Sequence, residues 1–142
     1  MAGMSNAMID KVVNATTPTG TSGAPGTFAA YSASTMKLKL TSTASSASAS
    51  GTELTGTGYT AGGTAMPGQS TASSGGSGVT LPTGGSLSWT NSSGGAWSIQ
   101  SGELTDNAGV RTWFWHWNGA PVAVANGNSF TVVAGGVSIN AS

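Results

Sequence analysis

Few side chains in this 142-residue sequence could take part in catalysis. There is one histidine, His116, and there are four carboxylates, Asp10, Glu53, Glu103 and Asp106. A histidine acts as a general base only beside a positioned partner, and His116 stands among tryptophans in a predicted strand. We therefore interpret His116 as a packed or surface residue of that strand. We expect no catalytic residue in this chain.

The carboxylates have neither hydrolase nor metal-site spacing. Glu103 and Asp106 are separated by two residues, whereas a glycosidase needs two opposed carboxyl groups in a cleft. We expect this pair to close a turn, with Asp106 accepting backbone N–H bonds. No oxygen cluster has EF-hand spacing, no glycine pair matches a phosphate loop, and cysteine is absent. The sequence predicts no metal and no cofactor.

Charge is scarce along the whole chain. Only 6% of the residues are charged, and the formal net charge is zero. The four basic side chains are too few for the phosphate contacts of a nucleic-acid-binding protein. No apolar run approaches the ~18 residues of a membrane-spanning helix, and the N-terminus lacks the pattern of a secretory signal. Such a composition fits a surface hydrated by Ser, Thr and Gly, or a surface covered by copies or partners.

His116 lies in an aromatic stretch at residues 111–128, RTWFWHWNGAPVAVANGN, which should begin with a strand. Read with period two, one side of its first strand carries Trp113, Trp115 and Trp117, and the other side carries Thr112, Phe114 and His116. Asn118-Gly119 predicts a tight hairpin turn, because both residues accept positive φ. A second turn leads into residues 129–133, so we expect a β-meander.

The tryptophans have two interpretations. An exposed row can stack on sugar rings, whereas a buried row forms a core or the centre of a subunit interface. We favour core or interface, because the chain offers few other large side chains to fill a core. The predicted core or interface aromatics are Trp89, Trp97, Trp113, Trp115, Trp117 and Phe130.

Short alternating segments predict the remaining strands. In Met36–Leu40, three apolar residues should face the core and two lysines the solvent. Further strands are expected within residues 54–66 and at 86–91, 96–101 and 136–140. The pattern predicts an all-β fold: a single small β-sandwich or barrel-like domain of about eight short antiparallel strands, spanning residues 36–142.

Residues 1–35 are predicted to form an extended N-terminal arm with one short helix, Asn6–Val13. Residues 16–26, TTPTGTSGAPG, are typical of a loop or an extended segment. The arm has too few apolar residues to order itself, so we expect it to contact a neighbouring copy or another protein. The side chains expected to make these contacts are Met8, Val12, Phe28 and Tyr31.

Five segments occur in an informative order: KLKLTSTASS, GTELTGTGYTAGG, SLSWTN, GAWSIQSGELTDNAG and VANGNSFTVVAGGVSIN. From about Met36 onward the chain resembles small virion proteins of tailed phages, which include capsid decoration proteins and short proteins labelled tail fibre. Glu53 to Thr60 match the family's E-(V/L)-x-G-x-G-Y-x turn, and Val133 to Ile139 match its AGG-(V/L)-x-(I/V) ending. The family often has a basic residue at the position of Thr60, so no contact of that residue is transferred.

The resemblance implies a non-enzymatic virion structural protein with a β-sandwich-like domain. We favour a capsid decoration, or cement, protein that binds and stabilises the expanded head shell from the capsid exterior after assembly in the host cytoplasm. The expected partners are the major capsid protein and copies of itself in a homotrimer, with no nucleic acid and no membrane.

Two alternatives remain open at this point. The first is a minor tail or short tail-fibre protein. The chain has no heptads or repeats of the kind that build a fibre shaft, which favours the capsid over the tail. The second is a sugar-binding β-sandwich module. The missing secretory signal and the absence of disulfides count against a secreted module.

Overall fold

The computed structural model describes residues 2–4, 36–68, 78–106 and 109–140. These residues form β-strands in four antiparallel sheets and contain no helix, which confirms the all-β class. Eleven strands are present in this part of the chain, rather than about eight. They are β1 (Ala2–Met4), β2 (Lys37–Thr41), β3 (Thr64–Ala65), β4 (Gly78–Leu81), β5 (Leu87–Thr90), β6 (Trp97–Ile99), β7 (Ser101–Thr105), β8 (Arg111–His116), β9 (Val122–Val124), β10 (Ser129–Val132) and β11 (Val137–Asn140).

The largest sheet has five strands in the order β1-β8-β7-β2-β3. The predicted alternation of β2 is confirmed for Leu38 and Leu40, which are fully buried, and for Lys37, which is exposed. Lys39 is only partly exposed, because it pairs with Glu53. A turn joins β7 to β8, and in it Asp106 Oδ1 accepts the N–H of Val110 at 2.8 Å. The prediction that Asp106 accepts a backbone N–H bond at this turn is therefore confirmed.

The other three sheets have two strands each and join segments that are distant in the sequence. β5 pairs with β10, β4 with β11, and β6 with β9. In β5 and β6 every second side chain is buried, as expected of strands with one face on a core.

The predicted hairpin and meander are wrong. β8 pairs with β7 and β1, whereas β9 pairs with β6 and β10 with β5. In the turn after β8 only Gly119 has a positive φ, +74°, so Asn118-Gly119 does not form the two-residue turn that closes a tight hairpin. Pro121, two residues after Gly119, has no N–H to donate to a ladder. The turn therefore leads the chain from one sheet to another.

The N-terminus contributes a strand that the sequence did not predict. β1 pairs antiparallel with β8, with Ala2 opposite Trp115 and Met4 opposite Trp113. Residues 2–4 therefore belong to the same sheet as β2, although we assigned them to the arm. The predicted helix Asn6–Val13 lies outside the described residues.

One hydrophobic core receives side chains from all four sheets. The five-stranded sheet provides Leu38, Leu40, Leu104 and Trp115, and the smaller sheets provide Leu81, Leu87, Trp89, Trp97, Ile99, Val124, Val132 and Val137. Burial of this apolar surface, at about 25 cal/mol per Å², is the main force that holds the sheets together.

Candidate functional site

The structure places the predicted aromatic residues in or against the core. Trp89, Trp97 and Trp115 are only 4–5% exposed, so their rings are not available to stack on a ligand. Trp113, Trp117 and Phe130 are partly buried and pack against the same core.

Ring-to-ring contacts fix the orientation of the partly buried aromatics. Trp117 packs nearly perpendicular to Trp115, with ring centroids 5.3 Å apart, and to Phe130 at 5.1 Å. Gly102 lies beneath both tryptophans, and a Cβ there would come within 2.6 Å of the Trp115 ring and 2.9 Å of the Trp117 ring. A residue without a side chain at position 102 is therefore required for this packing.

A buried polar cluster occupies the opposite face of the five-stranded sheet. The carboxylate of Glu103 is completely buried, and its Oε1 accepts the hydroxyl of Ser45 at 2.7 Å and the N–H of Gly51 at 3.0 Å. Arg111 donates to the same oxygen at 3.2 Å and forms an ion pair with it. The pair binds the loop of residues 42–52, which we call the covering loop.

Arg111 also holds the covering loop by its backbone. Its Nη1 donates to the carbonyl of Ala49 at 2.7 Å, and its Nη2 donates to the carbonyl of Ala47 at 3.1 Å. The guanidinium lies 5.3 Å from the ring centroid of Phe114, a distance at which a cation–π attraction contributes. A planar group with five donors suits this task better than an ammonium does.

Further bonds seal the covering loop against β7. The Ser45 N–H donates to Ser101 Oγ at 3.0 Å. At the end of β2, the Thr41 hydroxyl lies 2.9 Å from the Thr43 carbonyl of the loop and 3.3 Å from the Ser101 carbonyl of β7. Every residue of β7 is consequently buried on both faces. The prediction that Glu103 helps to close the turn with Asp106 is therefore wrong, because the strand directs Glu103 beneath this loop.

His116 contacts the same loop at Ser45. The side chain is largely exposed, and its Nε2 lies 2.9 Å from the carbonyl oxygen of Ser45. A carbonyl oxygen only accepts hydrogen bonds, so Nε2 carries the proton and Nδ1 is an acceptor in the neutral ring. This contact gives His116 a role in holding the covering loop.

Thr112 does not follow the predicted alternation of β8. A register shift opposite Leu104 and Thr105 turns it inward, where it is 1% exposed and donates to the Leu104 carbonyl. A β-bulge of this kind re-aims one side chain without ending the strand. The same bulge aligns Arg111 with Thr105, on the face that carries Glu103.

A second polar cluster explains the motif at residues 53–60. Glu53 Oε1 accepts the hydroxyl of Tyr59 at 3.0 Å and the N–H of Gly62 at 2.6 Å, and Oε2 lies 3.5 Å from Lys39 Nζ. The N–H of Leu40 donates to the Tyr59 oxygen at 3.2 Å. Burial and, to a smaller extent, the charge of Glu53 raise the pKa of Tyr59 well above its usual value. The phenol therefore stays protonated and donates a hydrogen bond to Glu53. The motif therefore fastens its own turn to β2.

The four predicted arm contacts lie outside the described residues: Met8, Val12, Phe28 and Tyr31. Within the described ranges, no group of three His, Cys, Asp or Glu side chains is placed to hold a metal ion. No helix in those ranges is long and apolar enough to cross a membrane.

In both clusters, the charged groups bind backbone and hydroxyl groups of their own domain. They immobilise the covering loop and the turn at residues 53–62. Comparison of the chain with protein-family models, with curated proteins and with solved structures finds no match.

Proposed function

We propose that this chain is a non-enzymatic structural protein of a tailed-phage particle and that it decorates the exterior of the head shell. The proposal rests on one observation: four charged side chains bind groups within their own domain. Lys39, Glu53, Glu103 and Arg111 bind partners inside the domain, and these contacts hold the covering loop and the turn at residues 53–62. A rigid domain with a neutral, hydroxyl-rich surface suits permanent attachment to a shell, because such attachment depends little on salt.

The resemblance to small virion proteins supports the same function. Glu53 and Tyr59 belong to its best-defined motif. Their hydrogen bond, and the bond from the Leu40 N–H to Tyr59, hold the 53–62 turn on β2. The motif thus has a structural task that any member with these residues could share. We further infer that the four sheets form a β-sandwich-like domain, because they share one core.

The proposed partners are the major capsid protein and copies of this chain in a homotrimer. Residues 5–35 would provide contacts outside their own domain, because the segment is rich in Gly, Thr and Ala and carries few large apolar residues. A protein that binds only the expanded shell stabilises that state by mass action.

The copy number in purified particles tests the location. If the protein decorates the head, quantitative mass spectrometry should find hundreds of copies per particle, in a constant ratio to the major capsid protein. A handful of copies would contradict decoration and would favour the alternative of a minor tail or short tail-fibre protein.

Truncation of the N-terminus tests the arm. Deleting residues 1–27 should leave a folded β domain that no longer binds expanded heads, and particles that lack the bound protein should rupture at lower temperature. Circular dichroism would check the fold, and co-sedimentation and thermal release of DNA would measure binding and particle stability.

A shorter truncation separates the arm from β1. Deleting residues 1–4 removes the strand that pairs with β8 but keeps the remaining arm. We expect this variant to retain most of the particle binding. If the variant that lacks residues 1–27 binds particles as well as the full chain does, the arm does not attach the protein to the shell. A face of the β domain must then make the attachment.

A further inference from the structure

A shallow depression lies where β8 ends and the next turn begins. It has a volume of about 580 Å³ and is lined by Gln100, His116, Trp117, Asn118, Gly119 and Ala120. This volume lies within the ~300–1,000 Å³ of typical small-molecule sites. We propose that this depression binds a neutral saccharide. The proposal goes beyond particle decoration and does not depend on it.

The polar groups of the depression match the hydroxyls of a sugar. The side-chain amides of Gln100 and Asn118 each offer two donors and a carbonyl acceptor. Neither amide group is used in a hydrogen bond within the described part of the chain. The bond from His116 Nε2 to the Ser45 carbonyl leaves Nδ1 as a further acceptor. Donors and acceptors are therefore both present among the residues that line the depression.

Trp117 is partly exposed at the depression, in a fixed orientation, and its indole N–H is buried without a hydrogen-bond partner in the described part of the chain. The apolar C–H groups of a pyranose ring can pack on an indole, which is large and rigid. Trp117 is partly buried, and its contacts with Trp115 and Phe130 hold the ring in place. A ligand would therefore not have to order this side chain on binding.

The backbone of the depression is also fixed before any ligand arrives. The Trp117 N–H donates to the Gln100 carbonyl at 3.2 Å, which joins the two sides of the depression. The Ala120 N–H donates to the Trp117 carbonyl at 3.1 Å and closes the turn, in which Gly119 has the positive φ of +74°. Preorganised walls reduce the entropy lost on binding.

The lack of acidic and basic lining residues favours a neutral ligand. Its lining contains no Asp, Glu, Lys or Arg. A phosphate or carboxylate ligand would normally be held by an arginine or a lysine. Amides, an imidazole and an aromatic ring together fit an uncharged polyhydroxyl compound, and the chemical class that we assign is a mono- or disaccharide unit of a glycan.

Titration of the ¹⁵N-labelled full-length chain tests the proposal. The probes are glucose, galactose, mannose, N-acetylglucosamine, cellobiose, lactose and chitobiose, with inorganic phosphate as a charged comparison. We expect at least one saccharide to shift the side-chain amide signals of Gln100 and Asn118, with millimolar affinity. We expect phosphate to leave these signals unchanged.

Two substitutions and one matched control define the site. Gln100→Ala and Asn118→Ala should each weaken saccharide binding about fivefold, the effect of losing one neutral hydrogen bond of ~1 kcal/mol. Asn128→Ala changes an exposed asparagine in another turn and should leave binding unchanged. The proposal is overturned if no saccharide shifts these signals, if phosphate alone does, or if both site variants bind like the unmodified chain.

Discussion

Replacement of Trp115 by alanine should lower the free energy of unfolding by about 3–5 kcal/mol. The indole is 5% exposed, packs over Gly102 of the neighbouring strand and meets the ring of Trp117 edge to face. Removing it leaves a cavity that paired strands on either side cannot close, so contacts are lost with little relaxation. Urea denaturation followed by far-ultraviolet circular dichroism measures the change without relying on tryptophan fluorescence.

Trp113 provides the matched control, because it is the same residue type two positions away on the same strand. It is only partly buried, so Trp113→Ala should cost less than half as much as Trp115→Ala. Equal losses at the two positions would contradict the placement of Trp115 at the centre of the core. A small loss at Trp115 would contradict it as well.

Local patterns predicted which residues would be buried. In β2 the alternation of leucine and lysine located a strand, and the structure buries Leu38 and Leu40. In β5 and β6 every second residue is apolar, and this pattern correctly predicted that Trp89 and Trp97 face inward. Period-two alternation is a property of a single strand, so it can be read without knowing the partner strand.

Strand pairing was not predictable in the same way. Asn118-Gly119 is a common hairpin signal, but it identifies only a turn and not the strands that it joins. β9 instead pairs with β6, which places Val124 beside Trp97 in the core. That choice depends on packing between residues distant in sequence, and Pro121 weakens the local alternative. The strands β4 and β7 were missed because their sequences, GVTL and SGELT, have weak alternation.

The buried polar cluster escaped sequence reasoning for a related reason. Residues 42–52 are mostly Ser, Thr and Ala, and such a composition gives no sign that Ser45 and Gly51 contact a carboxylate. One signal was available. Arg111 is the only arginine in the chain, and the turn at Asp106 brings it back toward Glu103. A hairpin around that turn predicts the pair, although it does not predict that a loop covers it.

Replacement of Arg111 by methionine should destabilise the domain by about 3–5 kcal/mol, because it leaves a buried carboxylate without its countercharge. The side chain of Glu103 is 1% exposed and that of Arg111 is 10% exposed, so solvent screens the pair little. The carbonyls of Ala47 and Ala49 also lose their donors. Urea denaturation measures the loss, and amide hydrogen exchange should show lower protection in the covering loop.

Charge at this site can be separated from packing by a double-mutant cycle. Glu103→Gln combined with Arg111→Met removes both charges, so the double variant should be more stable than the two single losses added together predict, with a coupling of about 1–3 kcal/mol. Lys37→Met removes an exposed charge from the same sheet and should change stability by less than ~0.5 kcal/mol. Additive losses, or a loss at Arg111 no larger than that at Lys37, would show that the ion pair does not hold the covering loop.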